Sequence, residues 1–214
     1  MKQFLFIGFA IVLSFSIQAQ ESYKGRDSFY SNGIARKGFY FSGAVGPAFG
    51  TISGRDNTGN ALNVKGTAVD LDLQVGGSIK DNLFLHGTIL AKTIQSPTVN
   101  DVQLASSYYF NESMAGIGVT KYFKNDFFLT GNVGFAKYSF EQRNTSFTTD
   151  GGLGLQVKAG EEWWVGPHWL LGIALQYSHL NLTSNPGGGI TEKWNGDRFG
   201  ILFHASFIRV KSGG

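Results

Sequence analysis

The sequence predicts an all-β protein, an eight-stranded antiparallel up-and-down transmembrane β-barrel. Three observations predict it. Eight stretches alternate apolar and polar residues with period two, very short connectors interleave with longer polar ones, and the polar face carries charges and glycines. Successive side chains of a strand point to opposite faces, so such alternation makes one face apolar and the other polar.

The first stretch sets Phe39, Phe41, Val45 and Phe49 against Tyr40, Ser42 and Gly46; Pro47 removes a ladder donor and reads as a strand end or bulge. The second is the clearest, with Val69, Leu71, Leu73, Val75 and Ile79 against Asp70, Asp72, Gln74 and Ser78. In the third, Leu83, Leu85, Ile89 and Ala91 oppose His86, Thr88 and Lys92. The fourth has Ala115, Ile117, Val119 and Phe123 against Glu112, Gly116, Gly118 and Thr120. The fifth has Phe127, Leu129, Val133 and Phe135 against Thr130, Asn132 and Gly134. In the sixth, Leu153, Leu155, Val157, Ala159 and Trp163 face away from Gln156, Lys158 and Glu162. The seventh sets Trp169, Leu171, Ile173, Leu175 and Tyr177 against Gly172, Gln176 and Ser178. The eighth sets Phe199, Ile201, Phe203 and Phe207 against Gly200, His204 and Ser206. Each runs about ten residues, enough for a tilted strand to cross an apolar layer.

Short connectors lie around Asp81, Asn125 and Pro167, and longer polar ones at about 54–66, 95–110, 141–152 and 181–197. A short turn requires an antiparallel hairpin, and short turns at one end with long loops at the other are the pattern of an outer-membrane barrel.

Period two alone fits an apolar core as well as an apolar exterior. Three features favour the inverted barrel. The polar face holds Asp70, Asp72, His86, Lys92, Glu112, Lys158, Glu162 and His204, which can pair across a lumen, with Asp70 brought opposite Lys92 by the Asp81 turn. Aromatic residues of the apolar face collect beside the short turns (Phe39, Phe123, Phe127, Trp163, Trp169 and Phe207), as an interfacial girdle requires. Glycines crowd the polar face, where a narrow barrel has little room. Lys121, Lys137 and Glu161 fall on the outward parity near the ends, where long side chains reach headgroups or water.

Lys2, an apolar run from Phe4 to Ile17 and the small residue Ala19 predict a secretory signal peptide at residues 1–19. A periplasmic lead-in at 20–37 and the barrel domain at 38–214 follow. The composition excludes other classes. Zero cysteines remove disulfide scaffolds and thiolate metal sites. A formal charge of +3 without a basic cluster argues against nucleic acid as a partner.

The chain resembles the small Gram-negative outer-membrane β-barrel proteins of the OmpA/OmpX/OmpW-like porin group. The carrying segments are Gly116-Ile117-Gly118-Val119-Thr120-Lys121-Tyr122-Phe123, Gly160-Glu161-Glu162-Trp163-Trp164-Val165-Gly166 and the final strand from Arg198 to Arg209. Gly200, Phe203, Ala205 and Phe207 loosely match the family's assembly signal, although Lys211 to Gly214 continue past the last aromatic. The resemblance implies residence in the outer membrane, contact with its lipids and lipopolysaccharide, delivery by the barrel-assembly machinery, and a monomer.

The expected function is a structural or minor-channel role without catalysis, cofactor or metal, in which the lumen residues carry any selectivity. One alternative is a lipid-modifying enzyme. His204 and Ser206 share a strand face, but neighbours on one face lie about 6–7 Å apart, too far for proton transfer unaided. Tyr177, Ser178 and His179 form another Ser/His neighbourhood. The other alternative is a secreted soluble β-barrel binding a small apolar ligand. Tyr108, Tyr109 and Trp194, read as loop residues, could touch a surface or ligand.

Overall fold

The computed structural model describes residues 36–55, 59–123, 126–142, 145–185 and 191–209. The predicted signal peptide and residues 20–35 of the lead-in lie outside them.

Eight strands close into an antiparallel barrel: β1 (Phe39–Arg55), β3 (Ala68–Lys80), β4 (Leu83–Gln95), β7 (Tyr108–Tyr122), β8 (Phe127–Gln142), β10 (Gly152–Trp164), β11 (Trp169–Ser184) and β12 (Glu192–Ile208). Each pairs with its neighbour in the chain, and β12 pairs with β1 to remove the last free edge. Four shorter strands decorate the long-loop end: β2 (Ala61–Lys65), β5 (Thr98–Val99), β6 (Val102–Gln103) and β9 (Thr145–Thr148). The second hairpin register sets Asp70 opposite Lys92, as its turn position requires. That turn is made by Asn82, a residue type that tolerates its positive φ of 59°.

Alternation turns the apolar residues outward. Val69, Val75, Ile89, Ile117, Leu153, Leu175 and Phe199 are exposed, while Asp70, Asp72, Lys158 and Glu162 are buried. Water would reject such a surface; hydrocarbon accepts it, so the fold is that of a transmembrane barrel. From Trp169 to Tyr177 the outward face climbs eight residues, about 26 Å along the strand at about 3.3 Å each. A tilt of about 40° reduces this to about 20 Å, near the roughly 25 Å of a barrel's apolar band.

The strands are 13 to 17 residues long, longer than the expected ten. They continue past the expected alternating stretches and, in part, into segments whose polar composition marked them as loops. There the pattern reverses: Ile52, Ile94, Phe110, Tyr138, Leu180 and Leu182 point inward and are buried, while Ser53, Thr93, Gln95, Asn181 and Thr183 point out. Above the apolar band the outside is water, so the strands adopt the pattern of a soluble barrel. Pro47 is likewise neither a strand end nor a bulge. It pairs in register with Val69, and the β12 ladder skips Gly46 and Pro47 without shifting.

Glycines let the walls approach. A Cβ on Gly116 would meet the backbone of Val133 and Gly134, which cannot rotate aside. Gly116→Val is expected to cost about 1–3 kcal/mol by overpacking. A lowered urea midpoint with the barrel still closed would fit; an unchanged midpoint would refute the close approach.

Candidate functional site

The interior has three layers. At the short-turn end Tyr40, Phe84, Tyr122, Phe128, Leu170 and Ile208 form an apolar plug, each at most 1% exposed. Ring centroids lie 5.0 Å apart for Tyr40–Phe84 and 5.8 Å for Phe84–Tyr122 and Tyr122–Phe128. Arg36 stacks over Tyr122 at 4.4 Å and Trp164 at 5.4 Å and pairs with Asp126. Lys37 reaches Asp81 at 2.6 Å. The last two residues of the expected lead-in are thus docked on the barrel end, because a guanidinium gains from two ring faces and a carboxylate together.

The middle layer is polar and holds all eight predicted lumen residues, each at most 5% exposed. In one cluster Lys92 Nζ lies 2.8 Å from Glu112 and 3.9 Å from Asp70, and Arg198 Nε lies 3.1 Å from the other Glu112 oxygen. Lys92 also donates to Ser178 at 2.5 Å, and Gln176 donates to Asp70. In the second cluster Lys158 Nζ sits 2.5 Å from Asp72, and His204 Nδ1 pairs with Glu162. Tyr122 donates to Glu162 at 2.6 Å and Ser206 donates to it at 2.7 Å. Gln156 connects the clusters by donating to Gln176 at 2.5 Å and to Asp72 at 3.4 Å. His86 bonds Thr120 at 2.9 Å, which bonds Thr130 at 2.8 Å. Buried charges this far from water require such partners. Arg198 was missed in sequence because it begins the last apolar run, directly after a segment read as a loop.

Ser42 Oγ lies 2.9 Å from His204 Nε2, while Nδ1 of the same ring meets Glu162. The order is that of a serine–base–acid relay, assembled from three strands and invisible as a spacing. The two neighbours on β12 also converge, Ser206 Oγ lying 3.4 Å from His204 Nδ1, because both side chains bend toward Glu162. The expectation that they stand too far apart is corrected by that shared partner. All three members of the relay are at most 2% exposed. Ser178 points inward, whereas Tyr177 and His179 point outward to Asp197 at 2.5 and 2.9 Å, so that neighbourhood is split. Among the described residues no three His, Cys, Asp or Glu side chains group to hold a metal.

The outer layer is apolar: Ile52, Leu90, Ile94, Phe110, Met114, Leu180 and Leu182 fill it. Above it opens a cavity of about 420 Å³, lined by Leu62, Val64, Val99, Leu104, Phe110 and Phe140 together with Tyr138, Phe147, Thr149, Glu192 and Trp194. Trp194 is not a loop residue; it points inward from β12 and is 7% exposed. Tyr108 and Tyr109 begin β7 and bond Gln142 at 2.5 Å and Gln95 at 3.2 Å. Apart from Trp194, the cavity residues were not singled out in sequence: they lie beyond the apolar band, where the alternation reverses, or on the short strands of the long-loop end.

On the outside, Phe39, Phe123, Phe127, Trp163 and Trp169 are 43–49% exposed and Phe207 is half-buried beside them. Phe207 packs on Trp169 at 5.2 Å and Phe39 at 6.4 Å, and Trp163 donates to Glu161 at 3.1 Å. Sequence reading missed the second aromatic row, in which Phe49 pairs with Phe199 and Tyr177 packs on Phe199 at 4.9 Å.

Closed strand order, apolar exterior, aromatic rows and a paired polar interior together define a small transmembrane β-barrel of the outer-membrane type. Its fold is that of the OmpA/OmpX-like barrels. Neisserial surface protein A is similar at TM-score 0.55 and 14% identity, over 79% of this chain and 96% of that one. The outer membrane protein OprG from Pseudomonas aeruginosa is similar at TM-score 0.52 and 15% identity, over 81% and 98%. The outer membrane protein AlkL, solved in lipid bilayers, is similar at TM-score 0.50 and 13% identity, over 86% and 95%. No family model and no curated protein sequence matches the chain.

Proposed function

We propose that the protein is an outer-membrane barrel with a structural, non-catalytic role and a sealed lumen, rather than a diffusion pore. It reaches the membrane after removal of the signal at residues 1–19, is inserted by the barrel-assembly machinery, and sits as a monomer among lipids and lipopolysaccharide. One observation carries the reading: two apolar layers close off an ion-paired middle in which every predicted lumen charge is buried. An eight-stranded barrel is just wide enough for its own side chains to fill. The serine–base–acid relay does not alter this, since none of its members lines the outer cavity.

A slim polar path is the second reading. It is favoured by buried atoms without hydrogen-bond partners along one wall of the middle layer: Asp70 Oδ1, Asp72 Oδ1, His86 Nδ1, Thr88 Oγ1 and Asn132 Oδ1. Such atoms call for water. Planar-bilayer recording separates the two readings. The sealed barrel is expected to give no resolvable single-channel steps, in preparations whose unheated and boiled forms migrate differently in SDS. Regular conductance steps that change in Asp72→Ala or Glu162→Ala would establish the path instead.

A further inference from the structure

The outer cavity joins an aromatic lining to one buried carboxylate. Phe110, Tyr138, Phe140, Phe147 and Trp194 all contribute to its wall. Glu192, at the start of β12, is 6% exposed and accepts a hydrogen bond from Trp194 Nε1 at 3.3 Å. No described Lys, Arg or His lies within ion-pair distance of it, whereas Asp70, Asp72 and Glu112 of the middle layer each pair with a lysine or arginine. Tyr138 is 1% exposed, and its hydroxyl has no hydrogen-bond partner. A carboxylate on an apolar wall is costly unless something pairs with it. Aromatic faces attract cations, and a set of them around an organic ammonium is a recurrent recognition device. The chemistry that completes this wall is therefore positive, apolar in its body and able to donate hydrogen bonds.

We propose that the cavity binds a small organic ammonium ion, its apolar body against Val64, Val99 and Phe140 and its ammonium on Glu192, with the Tyr138 hydroxyl as a further acceptor. The volume, about 420 Å³, lies toward the small end of the roughly 300–1,000 Å³ typical of ligand sites. The cavity lies in the collar above the apolar band, so the ligand arrives from water as a free solute. The site does not depend on whether the lumen conducts, because none of the ion-paired residues of the middle layer lines the cavity.

The test titrates 2-phenylethylamine, 2-phenylethanol and 3-phenylpropionate calorimetrically into the full barrel in maltoside micelles, with empty micelles subtracted. The amine is expected to bind at least tenfold tighter than the alcohol, and the carboxylate to give no saturable heat. Glu192→Gln should weaken the amine at least tenfold and leave the alcohol within twofold. Tyr138→Phe should weaken both while keeping the preference. Each variant is used only after its mobility in cold SDS shifts on boiling. Absence of that shift in the unaltered protein would overturn the barrel reading itself. Equal binding of the three probes, no saturable heat with the amine, or a preference that survives Glu192→Gln would overturn the ammonium site while leaving the barrel intact.

Discussion

Lys158→Ala is expected to destabilise the barrel by about 3–5 kcal/mol, the usual penalty for removing one partner of a buried ion pair. Lys158 is fully buried, 2.5 Å from Asp72 and 3.4 Å from His204 Nε2. Its loss strands the Asp72 carboxylate, which keeps only amide donors at 3.4 Å from Gln74 and Gln156. In lipid vesicles the urea midpoint should fall by about 2 M, at a slope of about 2 kcal/mol per M. The double variant Lys158→Met with Asp72→Leu should recover most of the loss, since apolar residues of similar volume often replace a buried pair without penalty. A single-variant loss below about 1 kcal/mol would mean that water reaches Asp72 freely, and the lumen would then not be sealed.

The second large effect is on the outer wall. Ile173→Arg should cost about 2–4 kcal/mol, whereas Asn181→Arg on the same face should cost about 0–1, because the penalty for a cation depends on its depth in the bilayer. Ile173 lies midway between Trp169 and Tyr177, opposite Phe203, and Asn181 lies four residues above Tyr177, opposite Asn195. Refolding equilibria into vesicles of one lipid measure both. Equal effects at the two positions would mean that the apolar band does not end at the row of Phe49, Tyr177 and Phe199.

The regularity of the apolar band explains what could be read directly. Between the two aromatic rows every outward residue meets hydrocarbon and every inward residue meets the lumen, so the stretch from Val69 to Ile79 shows an unbroken alternation. The eight-strand count follows from eight such stretches, and the pairing of Asp70 with Lys92 from that stretch and its turn. Above the band the solvent changes, and with it the meaning of parity. Leu180 and Leu182 point inward, on the parity that Gln176 and Ser178 occupy lower on the same strand. A reading that seeks one apolar face per strand stops at that reversal and records a loop. Arg198, Trp194 and the cavity residues were lost there.

Sequence alone thus determined the strand pattern, which is local and depends on neighbours one and two residues away, and the sign of each face, which the charges and glycines of one face and the aromatic ends of the other indicated. The closure of the lumen, the meeting of Ser42, His204 and Glu162, and the aromatic cavity around Glu192 were decided only by tertiary structure. Each joins strands far apart in the chain, and their alignment is fixed by the register with which β12 closes on β1. A shift of that register would rearrange all three while leaving every local pattern in the sequence unchanged.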